Sequence, residues 1–340
     1  MKSLEELAST IDISAISALI PKIILDEVEE AARARRFGRN LVRINDDLVR
    51  TKGRSIVIGR RGTLTAQDVS EGTELSSSKI TYTANTITPT KKGVAVHITE
   101  EAISGAELNL IKDAVTEAGI ALADKEDSDI MKALLNYVVD AHTFSGAGTA
   151  NIGAPLTYVD TSEANVSKVD YYDGKIVATD ACTVTYHKTQ FSTTYVTDAP
   201  TKGTLTYEAI VQAVTAVKSR KWQPKFLVIH PEVLGGILQS SMFIDAAKYG
   251  ANEPIVNGEI GKIAGLKVLV TTQMDNGAAL VIDPNRAAWM AIRRNVDMKR
   301  WDNPATDSVE LYFYVEYGVK VTDANALQLI VNIGPKAADV

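Results

Sequence analysis

Residues 104–138 read SGAELNLIKDAVTEAGIALADKEDSDIMKALLNYV, a single uninterrupted helical pattern. Leu108, Ile111, Val115, Ala118, Leu122, Ile130, Leu134 and Tyr137 recur at helical spacing and mark one apolar face. Lys112, Glu117, Asp124, Lys125 and Asp127 mark the others. Ser104 and Glu107 form the S-x-x-E capping box that opens such a helix. At ~1.5 Å per residue the helix is about 50 Å long, well beyond the usual length of about 11 residues. A helix of this length is expected to be the backbone of an elongated molecule. Asp124, Glu126, Asp127 and Asp129 crowd one stretch of it, and such a run reads as a solvated face.

Upstream the texture changes. Over residues 50–98 short apolar runs alternate with polar residues between Gly and Ser breaks: Ile56-Val57-Ile58, then Ile80, Tyr82 and Ala84, then Val94, Val96 and Ile98. Period-two alternation of this kind means strands. The stretch from about 50 to 85 has too few apolar residues to make its own core, so it reads as a two-stranded ribbon that needs a partner surface. Arg60 and Arg61 stand between Gly59 and Gly62 and are expected to project from a turn at the ribbon tip. Further upstream, 14–36 reads as a helix with a break near Ile20 before Pro21. It ends in a basic patch of Arg33, Arg35, Arg36 and Arg39. Cations there either complement the helix C-terminus or form a basic arm against a negatively charged neighbour or nucleic acid.

Downstream, Ser145-Gly146-Ala147-Gly148-Thr149 breaks the chain. Residues 155–203 are rich in Thr and Tyr, with strand-like runs at Lys175–Ala178 and Cys182–Tyr186, and read as a β-rich insertion or outer-surface projection, or else as part of the main sheet. From Thr206 the pattern is α/β. Thr206 caps a helix bearing Tyr207, Ile210, Val211, Val214 and Val217; Phe226–Ile229 is a buried strand; Pro231 opens the next helix. Further strands are expected at Leu266–Thr271, Ala278–Ile282, Ala287–Ile292, Val309–Val321 and Leu327–Ile333.

Composition narrows the class. Hydrophobic residues are 45% and charged residues 23% of 340, which excludes disordered and fibrous chains. A net charge of −6 gives no global attraction to DNA or an anionic membrane. One cysteine, Cys182, forbids an internal disulfide. The acidic opening Met1-Lys2-Ser3-Leu4-Glu5-Glu6 lacks the features of a secretory signal, and no apolar run reaches the ~18 residues of a membrane span, so a soluble protein made in the cytoplasm is expected. Walker, nucleophile-elbow and zincin motifs are absent. His97, His142, His187 and His230 are each isolated in sequence and read as structural. No catalytic, cofactor or metal residues are assigned, and no enzymatic activity is expected.

The order of parts is arm helix, ribbon, strand, very long helix, glycine turn, α/β domain and closing strands. It carries the local patterns Ser70-Glu71-Gly72-Thr73-Glu74-Leu75, Ile87-Thr88-Pro89-Thr90-Lys91-Lys92-Gly93-Val94, Ile98-Thr99-Glu100-Glu101-Ala102 and Phe226-Leu227-Val228-Ile229-His230-Pro231. Gly261–Val268, Ala279–Pro284 and Tyr317–Val321 follow in sequence. Over about residues 40–335 this succession resembles the major capsid protein of tailed viruses, of the Hong Kong 97 type. The resemblance implies an α+β fold with an N-terminal arm (1–45), an extended β-ribbon or E-loop (46–88), and a P-domain with the long spine helix (89–154). The β-rich insertion (155–203), an α/β A-domain (204–308) and closing P-domain strands (309–340) complete the expected division. It also implies a self-assembling icosahedral shell of hexamers and pentamers around double-stranded DNA, contacted non-specifically. Separate scaffolding, portal or decoration proteins are implied partners; a membrane is not. Arg60, Arg61 and Glu71 are the expected subunit contacts, and Arg33, Arg35, Arg36 and Arg39 the inner-face basic arm. An encapsulin-type compartment, which shares the fold, and an α/β enzyme with an unrecognised site remain the alternatives.

Overall fold

The computed structural model describes residues 36–334, apart from 51–52, 63, 65, 67, 71–76, 78, 100, 102–109, 163–164, 239–261 and 304–305. The expected helix over 14–36 and the capping box at Ser104 and Glu107 lie outside the described residues. The described chain opens with a 3-10 turn, Gly38–Leu41, then β1 (Arg43–Asn45) and a helical turn, Asp47–Arg50. Strands β2 (Ile56–Arg61), β3 (Tyr82–Ile87) and β4 (Thr90–Thr99) precede the long helix α1 (Leu110–Leu135). There follow β5 (Tyr137–Phe144), β6 (Gly148–Asn151), β7 (Leu156–Val159), β8 (Val166–Asp170), β9 (Lys175–Ala178), β10 (Cys182–Thr189) and β11 (Val196–Asp198). The remainder is α2 (Tyr207–Ser219), β12 (Phe226–Ile229), α3 (Pro231–Leu238), β13 (Lys262–Ile263), β14 (Leu266–Val270), β15 (Ala278–Ile282), β16 (Ala288–Asn303), β17 (Ser308–Val321) and β18 (Leu327–Val331).

The chain divides into two compact units. The first holds the described residues up to Phe37 together with Ile44–Asp127 and Met290–Val319. Its sheet has the order β1-β16-β17-β4. β17 runs antiparallel to β4 from Ser308 opposite Thr99 to Tyr317 opposite Thr90, and alternation along β17 buries Leu311, Phe313, Val315 and Tyr317. On the other face the Tyr312 and Tyr314 rings stack, and Lys91 Nζ sits 3.6 Å above Tyr314. Gly93 makes room for that ring: a Cβ there would stand 2.8 Å from it and 2.6 Å from the Phe313 carbonyl.

The second unit comprises Gly38–Arg43, Ser128–Trp289 and the chain from Lys320. Its six-stranded sheet has the order β11-β18-β15-β12-β14-β13. Every residue of β15 and β18 is buried, as expected of central strands covered on both faces. Thr206 accepts a hydrogen bond from Ala209 N and starts α2, whose Ile210, Ala213, Val214 and Val217 pack with Leu227, Ile229, Val281 and Ile330. Two three-stranded sheets, β5-β10-β7 and β6-β9-β8, complete the unit.

Several expectations give way here. The long helix stops at Leu135 because Asn136 takes a left-handed φ of 48° and Thr189 Oγ1 donates to the Leu135 carbonyl at 2.8 Å. Tyr137, assigned above to the helix face, therefore opens β5. The division at residue 308 does not follow the sheets: β16 pairs with β17 in the four-stranded sheet, and β18 lies inside the six-stranded one. Beyond Ile292, β16 carries no alternation of burial, its residues being exposed or half-buried, so the sequence pattern gives no strand there. The stretch 155–203 is built into the second unit. β11 joins the six-stranded sheet beside β18, and Tyr171, fully buried, donates its backbone N–H to Asn332 Oδ1 at 2.5 Å.

Candidate subunit-contact surfaces

The ribbon follows from pairing two short strands with no third. β2 and β3 run antiparallel from Ile56 opposite Ile87 to Arg61 opposite Tyr82, and form a sheet of two strands. Gly62 N donates to Thr81 O at 2.7 Å and extends the pairing by one residue. Arg60 and Arg61 are thus strand residues opposite Thr83 and Tyr82, and the turn lies farther along the chain. The flanking glycines misled because Gly59 sits inside a strand with open space around it. Glu71 lies outside the described residues.

Strand geometry sorts the ribbon into two faces. Ile56, Ile58 and Arg60 share a face with Ile87, Asn85 and Thr83, and that face is partly covered, with Ile87 buried. Val57, Gly59 and Arg61 share the other with Thr86, Ala84 and Tyr82, and every one of these residues is exposed. Val57 is 62% and Tyr82 68% exposed. Leu64, Val69 and Ile80, in the chain joining the two strands, are exposed as well. This exposed face pairs the apolar Val57 and Tyr82 with Arg61 in a ribbon too narrow to cover them.

The basic arm is described only from Arg36 onward, so Arg33 and Arg35 lie outside the described residues. The Arg36 side chain is largely buried. It is 5% exposed, with Nε 3.2 Å from Glu126 Oε2, which is 1% exposed. The next residue, Phe37, donates its backbone N–H to Asp127 Oδ2 at 3.2 Å. Glu126 and Asp127, expected on a solvated face, are both buried. Sequence alone gives no sign of this, since the partners of the acidic run sit 90 residues earlier. Arg39 is half-buried in the 3-10 turn.

Two of the four histidines have an acidic neighbour: His230 Nδ1 lies 3.7 Å from Glu232 Oε2, and His187 Nδ1 lies 3.0 Å from Asp275 Oδ1 with its ring stacked on Tyr137 at 4.2 Å. Thr157 donates to the same carboxylate at 2.6 Å. Burial, with Asp275 beside it, pushes the Tyr137 hydroxyl above the ordinary tyrosine value. The cluster fastens β7 and β10 to the loop before β15. A surface groove of about 480 Å³ is lined by Lys218, Lys221, Trp222, Gln223 and Pro224, with no carboxylate, histidine or cysteine among them. Among the described residues no group of three His, Cys, Asp or Glu is placed to hold a metal, and no helix is long and apolar enough to cross a membrane. Cys182 is a free thiol at the start of β10.

Comparison with known proteins points one way. Residues 83–330 match the sequence pattern of a family described as phage capsid protein. No curated protein sequence matches. Among solved structures, the chain is similar to one from Mycobacterium phage Che8, with 15% identity, 88% of this chain and 92% of that one covered, and a TM-score of 0.59. It is similar to the Cyanophage Pam1 capsid asymmetric unit, with 11% identity, 86% and 89% covered, and a TM-score of 0.61. The capsid of a native GTA particle aligns at 13% identity over 89% and 91% of the two chains, with a TM-score of 0.58. At these identities the structures establish the fold, which is the Hong Kong 97 type.

Proposed function

The chain belongs to the phage capsid protein family and is a shell subunit of a virion, and from that premise we propose that its copies associate as hexamers and pentamers into an icosahedral shell around double-stranded DNA. The ribbon β2–β3 is the proposed contact between copies. One observation carries this: a ribbon face with Val57 and Tyr82 exposed and Arg61 opposite Tyr82. Burying one such side chain contributes about 1.5–3 kcal/mol, and each exposed charge pair adds only ~0.2–1 kcal/mol. The apolar residues therefore supply the larger part of each contact, and Arg60, Arg61 and Glu71 supply its register. Repetition over a closed shell multiplies these small terms.

The arm is proposed to face the packaged DNA through Arg33, Arg35 and Arg39, by non-specific phosphate contact. Arg36 is set apart from that role by its buried pairing with Glu126. The role is structural, with no catalytic step and no cofactor. Scaffolding, portal and decoration proteins are proposed to be separate chains.

The test is charge reversal of the ribbon, Arg60→Glu with Arg61→Glu. The variant is expected to fold with an unchanged melting temperature and to lose shell assembly, read by sedimentation. Wild-type shell yield from the double variant would remove the arginines from the contact. For the arm, trypsin is applied to intact wild-type shells: protection at Arg33 and Arg35 supports an inner face, and ready cleavage contradicts it.

A further inference from the structure

Glu126 and Asp127 are consecutive residues on α1, both 1% exposed, and both are occupied by the two consecutive residues Arg36 and Phe37. A carboxylate is costly to bury, and a buried ion pair gives little net stability over apolar residues of the same size. What such a pair does provide is direction. Consecutive positions on a helix differ by about 100°, so the two carboxylates grip the chain from two angles. One holds a guanidinium and the other a backbone N–H. The first is specific to the Arg36 side chain, and the second fixes the course of the main chain beside it.

We infer that Arg36, Glu126 and Asp127 are positioning residues for assembly: they set the direction in which the chain N-terminal to Arg36 leaves the spine helix. A shell needs that segment delivered to the same place in every copy, and an apolar contact at this point would permit sliding. The inference rests on reading the segment before Arg36 as an arm, but not on which face of the shell the arm occupies.

The double substitution Arg36→Met/Glu126→Met separates direction from stability, because it replaces the pair with apolar side chains of similar length. The expected result is a melting temperature equal to or above wild type. Tryptic cleavage at Arg33 and Arg35 of unassembled subunits is expected to quicken several-fold, and electron microscopy to show a broadened range of particle sizes. A wild-type cleavage rate together with uniform wild-type particles would overturn the inference and leave the pair merely structural. If the double variant does not fold, Asp127 carries the test. Asp127→Asn keeps an acceptor for Phe37 N and is expected to behave as wild type; Asp127→Leu removes it and is expected to show faster cleavage and mixed particles. Identical behaviour of the two would equally overturn it. The inner-face reading is judged on intact wild-type shells, so either idea can fail without the other.

Discussion

A methyl group at position 277 has nowhere to go: it would stand 2.3 Å from the Tyr171 ring and 2.6 Å from the Thr157 carbonyl. Tyr171 fills the space between Gly277 and Gly334 and is completely buried. Gly277→Ala is therefore expected to destabilise by about 1–3 kcal/mol through overpacking, and Tyr171→Ala by about 3–5 kcal/mol through the cavity it leaves. Urea denaturation midpoints check both. Burial also raises the Tyr171 hydroxyl above its ordinary value of 10.0. The sign follows from linkage. Below pH 10 the side chain is protonated in both states and contributes no slope. Above it, the unfolded chain ionises while the native state holds its proton, so stability falls by up to about 1.4 kcal/mol per pH unit. Tyr171→Phe removes that group, and its urea midpoint should fall less steeply than wild type between pH 9.5 and about 11. Parallel slopes would contradict the assignment.

The elements differ in how far sequence reveals them. Thr206, the apolar face of α2 and the run Phe226–Ile229 were legible because local propensity, capping and burial agree there. The end of α1 was not, since Asn136 and the Thr189 hydroxyl that stop it act through chain geometry and a partner 54 residues away. Nor was the burial of Glu126 and Asp127, which depends on Arg36 and Phe37 arriving from the far end of the sequence. The ribbon was legible as strands, but which face stays exposed was not, because that depends on the register in which β2 pairs with β3. Val57→Ser with Tyr82→Ser is expected to leave the subunit's unfolding free energy within ~1 kcal/mol of wild type, since exposed positions contribute little to folding, while lowering shell yield. Unchanged yield would move the contact elsewhere. The stretch 155–203 read as separable because it is polar and rich in threonine, yet it delivers β11 to the six-stranded sheet and Tyr171 to its packing. Replacing 160–200 with a short Gly-Ser linker removes both. Insoluble protein is the expected result, and a soluble, assembling product would show that the two small sheets are dispensable.

At the scale of the molecule, a subunit with an exposed apolar ribbon is incomplete by itself. Surfaces of this kind mark places that a partner covers, and in the proposed shell that partner is another copy. Heterologous contacts that close generate rings and shells, whereas those that do not close generate filaments. In the proposed assembly, the exposed face of β2–β3 and the direction inferred for the chain at Arg36 together favour closure. The most direct measurement is cryo-electron microscopy of the purified protein across protein concentration in assembly-promoting salt. Closed icosahedral particles with the ribbon of each subunit lying on a neighbour, and with Val57 and Tyr82 buried there, are the predicted result. A monodisperse monomer at high concentration, or particles in which the ribbon touches no other copy, would contradict it.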